Sequence, residues 1–194
     1  MCGDVVATGT SLSYAFHEIM DIAKQEGKEI SGFVFFTIGG KRAEEILLEV
    51  EKKASALFPS FQGSVVIYLE GRFAVPTTET PLSIKLTGTD LVRRDSLLSE
   101  EFIHSQFEYP SYPIERCTIY DAGSRAFSIP EYLEDVLEYW TEVEGLVKNG
   151  VTYEGLLKER FPELLDYAPE GFSPQSISLM DVVSGQIRRV KGLE

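Results

Sequence analysis

Apolar residues along the first part of the chain switch between two periods. From Ser11 to Gln25, Leu12, Ala15, Phe16, Ile19, Ile22 and Ala23 recur at three- and four-residue steps, which predicts an amphipathic helix closed by Glu26-Gly27. Ile30 to Ile38 (ISGFVFFTI) is apolar nearly throughout and rich in β-branched and aromatic residues, the pattern of a strand covered on both faces. Lys41 to Phe58 returns to helical spacing with Ala43, Ile46, Leu47, Val50 and Ala54 inward, and Ser64 to Leu69 (SVVIYL) reads as the next strand. With Val5 and Val6 as a strand ahead of the first helix, the alternation predicts an α/β fold with a parallel sheet and right-handed crossovers.

After Glu70 the periods shorten. Gly71 to Ala74 and Leu82 to Leu86 read as short strands or a hairpin, Asp95 to Gln106 as a short helix and Ile114 to Tyr120 as a strand leading into Asp121. From Ile129 onward the pattern is helical: Pro130 to Lys148, Thr152 to Phe161, and Ser173 to Val190 with an interruption near Gly185. This divides the chain into an α/β domain over 1–128 and a helical C-terminal extension over 129–194.

Composition narrows the possible partners. At 194 residues, with 43% apolar and 25% charged content, the chain has enough apolar material for a core. A net charge of −13 argues against nucleic-acid and anionic-membrane surfaces, which require clustered Lys and Arg. Apolar runs such as Gly32 to Ile38 are too short to span a bilayer, and the first ten positions lack the basic and apolar regions of a signal peptide, so a cytoplasmic protein is expected. Cys2 and Cys117 stand apart without metal-ligand spacing and read as incidental thiols.

The richest candidate chemistry lies in Gly3 to Leu12 (GDVVATGTSL). A strand passes through small and hydroxylic residues, Ala7 to Ser11, into the first helix. Gly9 allows close backbone approach, and Thr8, Thr10 and Ser11 place hydroxyls beside the open N–H groups of a helix start, a setting that favours phosphate. Asp4 is expected near the strand's carboxyl end, where a carboxylate accepts hydrogen bonds from ribose hydroxyls.

In the order of its acidic, apolar, small and hydroxylic positions, this run resembles the phosphoribosyl pyrophosphate (PRPP) loop of type I phosphoribosyltransferases. The resemblance implies a partial Rossmann-like parallel sheet flanked by helices. It also implies that Asp4, Ala7, Thr8, Gly9, Thr10 and Ser11 bind PRPP or a ribonucleotide, with Asp4 on the ribose and the loop on the 5-phosphate. Mg²⁺ is implied as the ion chelated by pyrophosphate and ribose oxygens, and the reaction as transfer of phosphoribosyl to a base. Of the two adjacent acidic residues that family carries, the first position is Gly3 here. Ala7 stands where oxopurine-specific members carry aspartate, which is closer to the adenine branch. The family's pyrophosphate and catalytic loops lie upstream of this motif, where only Met1 and Cys2 stand. The resemblance therefore implies loops supplied by an upstream segment or a second chain, or else a degenerate relative that serves as a non-catalytic nucleotide-binding or structural subunit of a split complex; the partner expected beside the ligand is a second subunit or another copy in a homo-oligomer.

Two further places carry two readings each. Gly39 and Gly40, followed by Lys41 and Arg42, either line the same cleft on its substrate side or form a tight strand-to-helix turn. Asp121 and Arg125, around Gly123, either contact a base or phosphate or pair in a surface turn. His17 and His104 each precede a carboxylate by one helical turn, Asp21 and Glu108, and read as surface pairs, with no metal site. The acidic helix around Leu133, Val136, Leu137, Trp140 and Val143, flanked by Tyr132 and Tyr139, is a candidate subunit contact.

Overall fold

The computed structural model describes residues 2–6, 9–86, 90–118 and 128–192, with backbone alone for 2–6 and 118. Strands β1 (Cys2–Val6), β2 (Phe33–Gly39) and β3 (Ser64–Ala74) alternate with helices α1 (Thr10–Gln25) and α2 (Arg42–Leu57). There follow β4 (Asp90–Leu98), α3 (Glu100–Ser105), β5 (Cys117–Thr118), α4 (Ile129–Lys148), α5 (Tyr153–Arg160) and α6 (Leu179–Lys191). Strand order is β1-β2-β3-β4-β5. The first three strands are parallel, as the alternation predicts, but β4 runs antiparallel to β3 and β5 antiparallel to β4. The expected parallel sheet is therefore mixed, because among the described residues between Ala74 and Asp90 there is no helix to cross over and return the chain in the same direction.

The helix periods select one face of the sheet. Leu12, Phe16 and Met20 of α1 and Ala43, Ile46, Leu47, Val50 and Ala54 of α2 pack with Phe35 of β2 into one cluster. Phe16 meets Phe33 and Phe35 edge-on, at ring separations of 4.9 and 6.0 Å. The opposite face departs from the expectation that both sides of β2 are covered. Val34, Val65, Ile67 and Leu69 are 38, 54, 37 and 48% exposed. Hydrocarbon on both faces of a strand thus marks what can be buried, and among the described residues one face is covered by helices.

A second cluster joins Ile84, Ile103 and Ile114 to Tyr139, Trp140 and Val143 of α4, Tyr153, Leu156 and Leu157 of α5, and Leu179 and Val183 of α6. The C-terminal helices therefore share a core with residues that precede them. Several local expectations change around it. Leu82 to Leu86 forms no strand: Ile84 sinks into this core, and Ser83 is tied to the Glu159 carboxylate through both its N–H and its hydroxyl. Asp95 to Leu98 ends β4 instead of starting a helix, since Asp95 sits at φ 59° and Ser99 caps α3 by accepting from the Phe102 N–H. Ile114 closes a 3₁₀ turn (Tyr112–Ile114), so β5 starts only at Cys117, and Ile119 and Tyr120 lie outside the described residues. The last helix starts at Leu179 behind the Ser178 cap and runs unbroken through Gly185.

Gly71 to Ala74 continues β3 past an irregularity. Thr37 pairs with Tyr68 but Gly39 with Arg72, so two extra residues stand in β3, with Glu70 at φ 65° and Gly71 at φ 149°. A Cβ on Gly71 would lie 2.5 Å from the Leu97 carbonyl oxygen and 2.7 Å from Leu98 Cα, so only glycine fits. Beyond it, Phe73 meets Phe102 of α3 at 5.3 Å.

Candidate functional site

The amino end of α1 has an unusual cap. Gly9 occupies the N-cap in the left-handed region, φ 76°, and its carbonyl accepts the Ser13 N–H at 2.9 Å. Glycine has no side chain with which to satisfy the first-turn N–H groups, so Gly9 itself supplies no side-chain cap. A Cβ on Gly9 would lie 2.1 Å from Ile46 Cδ1, so Gly9 is pressed against α2 and a side chain there would displace the tip of Ile46, while φ itself favours glycine.

This end of α1 opens on a groove of about 460 Å³ lined by Gly9, Thr10, Ser13, Tyr14, His17, Glu18 and Arg42. Arg42, the first residue of α2, pairs with Glu45 at 2.9 Å and keeps a half-exposed guanidinium. His17 Nδ1 lies 2.7 Å from the Ser13 carbonyl oxygen. A carbonyl only accepts, so Nδ1 carries the proton and, in the neutral ring, Nε2 is left as the acceptor. Helix N–H groups, hydroxyls and a guanidinium together suit an anion. Glu18 on the rim opposes one.

Of the residues singled out in the sequence, Gly9 and Thr10 line this groove, and Ser11 is exposed in the same helical turn without lining it. Asp4 lies in the middle of β1, opposite Thr37, two residues before the strand's carboxyl end. Ala7, Thr8, Asp121 and Arg125 lie outside the described residues. Gly39 and Gly40 are buried and do not line the groove. A Cβ on Gly40 would lie 3.0 Å from Val75 Cγ2 and 3.2 Å from the Phe73 carbonyl oxygen, and the Gly40 carbonyl accepts from the Tyr68 hydroxyl at 3.3 Å. Burial and the Glu44 carboxylate, 3.1 Å from that hydroxyl, push the Tyr68 pKa well above the usual phenol range.

Ser13, Tyr14, His17 and Glu18 were not among the expected site residues. The available signal was helical: positions 10, 13, 14, 17 and 18 share one face of a helix whose start was already legible. The expected His17–Asp21 pair gives way to the Ser13 carbonyl for His17, while Asp21 lies 3.8 Å from Lys53.

A second polar assembly, buried, surrounds β4. The Arg93 guanidinium donates to Gln106 Oε1 at 2.8 Å and to the Glu115 carbonyl at 3.0 Å. Arg160 reaches the same carbonyl at 3.4 Å and lies over the Tyr139 ring, 5.3 Å from its centroid. Asp90, fully buried, accepts from Arg116 at 2.8 and 3.4 Å. Burial lowers the pKa of Arg93 and raises those of Glu115, Cys117 and Tyr139, the Arg93 charge opposing the last three shifts.

Among the described residues no group of three His, Cys, Asp or Glu side chains could hold a metal ion, and no helix is long and apolar enough to cross a membrane. Comparison with family models, curated proteins and solved structures returns no match for this chain.

Proposed function

We propose that this chain binds the 5-phosphate of PRPP or of a ribonucleotide at the amino end of α1, as a phosphoribosyltransferase-like protein on a partial Rossmann-like sheet. The observation that carries the reading is Gly9. Its left-handed backbone, closed onto Ile46, turns the amino end of α1 toward a groove that also holds Arg42. The helix end contributes ~0.3–1 kcal/mol to anion binding. A charge-assisted hydrogen bond from Arg42 contributes ~1.5–3 kcal/mol.

In this reading the amides and hydroxyls of Thr10 and Ser11 join Arg42 in holding phosphate, and Asp4 orients the ribose. Among the described residues no acidic cage would hold Mg²⁺, so the ion would come with the ligand and, when bound, would supply charge neutralisation on the departing group. Transfer then forms a bond from a base nitrogen to the anomeric carbon as the bond to pyrophosphate breaks, pyrophosphate leaving with the electron pair and the nitrogen's proton passing to solvent. The chain's own share in that step is positioning and electrostatic stabilisation.

Calorimetry with PRPP and Mg²⁺ tests the binding. Saturable binding is expected, abolished in Gly9→Val and weakened about tenfold in Arg42→Ala, which leaves the loop's backbone intact. Absence of binding to the native chain, or equal affinity in both variants, overturns the reading. A non-catalytic subunit of a split complex is the second reading, and it draws on the bare apolar face of β2 and β3, which suits a partner chain. It differs in outcome: the isolated chain binds PRPP but transfers nothing to a base until that partner is added.

A further inference from the structure

The side of β2 and β3 turned away from α1 and α2 is built from matched rows. Register sets Val34 beside Val65 and Phe36 beside Ile67, and Leu69 carries the run on toward the irregularity in β3. Side chains alternate along a strand, so these residues share one side while Phe35 and Val66, paired between them, pack with the helices on the other. Val34, Val65, Ile67 and Leu69 are exposed and Phe36 is half-buried. Contiguous hydrocarbon on adjacent strands, left in contact with water, marks an interaction surface.

The border of this patch selects what covers it. Past the irregularity the same side of the sheet already carries a helix, since Phe73 meets Phe102 of α3 at 5.3 Å. That helix is anchored by the Ser99 N–H, which donates to the Glu70 carbonyl at 2.8 Å. Glu70, next to Leu69, and Glu100 and Glu101, in the first turn of α3, are all exposed, so carboxylates stand at the downstream end of the hydrocarbon. A second copy of the chain would bring another net charge of −13 to this rim, and repulsion disfavours it. Lys and Arg beside an apolar stripe are attracted instead. A helix is the form that fits, because helices cover parallel strands on both sides and α3 has already begun that layer. Residues at i, i+3, i+4 and i+7 give it one apolar stripe for the rows below.

We propose that this face binds an amphipathic helix of another protein chain, apolar where it meets Val65 and Ile67 and basic where it passes Glu70, Glu100 and Glu101. The inference rests on the reading of the chain as one subunit of a complex and names the partner's chemistry.

The test uses a labelled helical peptide of Leu, Ala and Lys with a single apolar stripe, and a twin in which every Lys is Glu, each titrated against the full chain by fluorescence anisotropy. Saturable binding of the Lys peptide is expected, weakened by added salt, with the Glu twin bound at least about tenfold more weakly. The double variant Val65→Thr, Ile67→Thr keeps β-branched residues in the strand and is expected to weaken binding about tenfold. Glu100→Gln with Glu101→Gln is expected to weaken it about threefold. Arg42→Ala is expected to leave it unchanged. Binding indifferent to Val65 and Ile67 overturns the proposal, because it is then a general attraction to an acidic surface. Equal binding of the Glu twin overturns it as well. So does sedimentation that finds the chain alone dimeric and the Val65→Thr, Ile67→Thr variant monomeric, which gives the face to a second copy. Absence of peptide binding while PRPP binding persists removes this inference and leaves the phosphate reading standing, whereas base transfer by the chain alone removes the subunit reading.

Discussion

Around β2 the space between sheet and helices is filled by hydrocarbon: Phe16, Met20, Phe35, Ile46 and Val50, each no more than 2% exposed. Around β4 the buried set is of another kind, because Asp90, Arg93, Gln106 and Arg160 are all under 9% exposed and lie beside Leu91, Val92 and Tyr139. Hydrocarbon packing tolerates approximate shapes, whereas each buried charge needs its partner in place. The first region is therefore set by local periodicity and the second by pairings between distant parts of the chain. Arg93 to Glu115, Arg160 to Glu115 and Arg116 to Asp90 all bridge separate elements.

The strongest way to break this contrast is Phe16→Ala, which empties the volume between two rings and is expected to cost ~3–5 kcal/mol in chemical denaturation. Removing one charge near β4 should rival it despite deleting far less hydrocarbon. Asp90→Ala removes the buried carboxylate that accepts from Arg116 and is expected to cost about 3 kcal/mol, with Asp90→Asn restoring part of that loss through its amide oxygen. A loss below about 1 kcal/mol in Asp90→Ala would place β4 in the same class as β2.

The finest test is a pH profile. Burial raises the Glu115 carboxyl above its ordinary value of 4.5, so the folded state holds this proton more tightly than the unfolded chain. Stability from that proton is complete below the ordinary value and is lost as pH rises through the higher folded one. Glu115→Gln is therefore expected to flatten the stability profile just above pH 4.5 and to be no less stable than the native chain at neutral pH. With the native side chain 40% exposed, screening keeps the difference below about 1 kcal/mol.

The same contrast explains what was legible in the chain. α1, β2, α2 and the start of β3 follow from residue spacing almost to their ends, since each is specified by neighbours three, four or two residues away. β4 was not legible: Asp90, Arg93 and Arg94 interrupt its apolar run, and each has its partner in a distant element, Arg94 on the Glu159 carbonyl at 2.8 Å. In the candidate site, Gly9 and Thr10 could be named because a helix start has a local signature. Arg42 was legible only as a neighbour of Gly39 and Gly40 beside the same cleft, and the packing of α2 on α1 brings it, and not the two glycines, to the groove.

The irregularity in β3 adds two residues between Tyr68 and Arg72, and that even number matters. Side chains before and after it keep the same parity, so Tyr68 and Arg72 both reach Glu44 on α2, at 3.1 and 3.0 Å. An odd insertion would have exchanged the two sides downstream, sending Arg72 toward Phe102 and Phe73 toward the carboxylate. A deletion of one residue there is thus a more drastic change than a deletion of two.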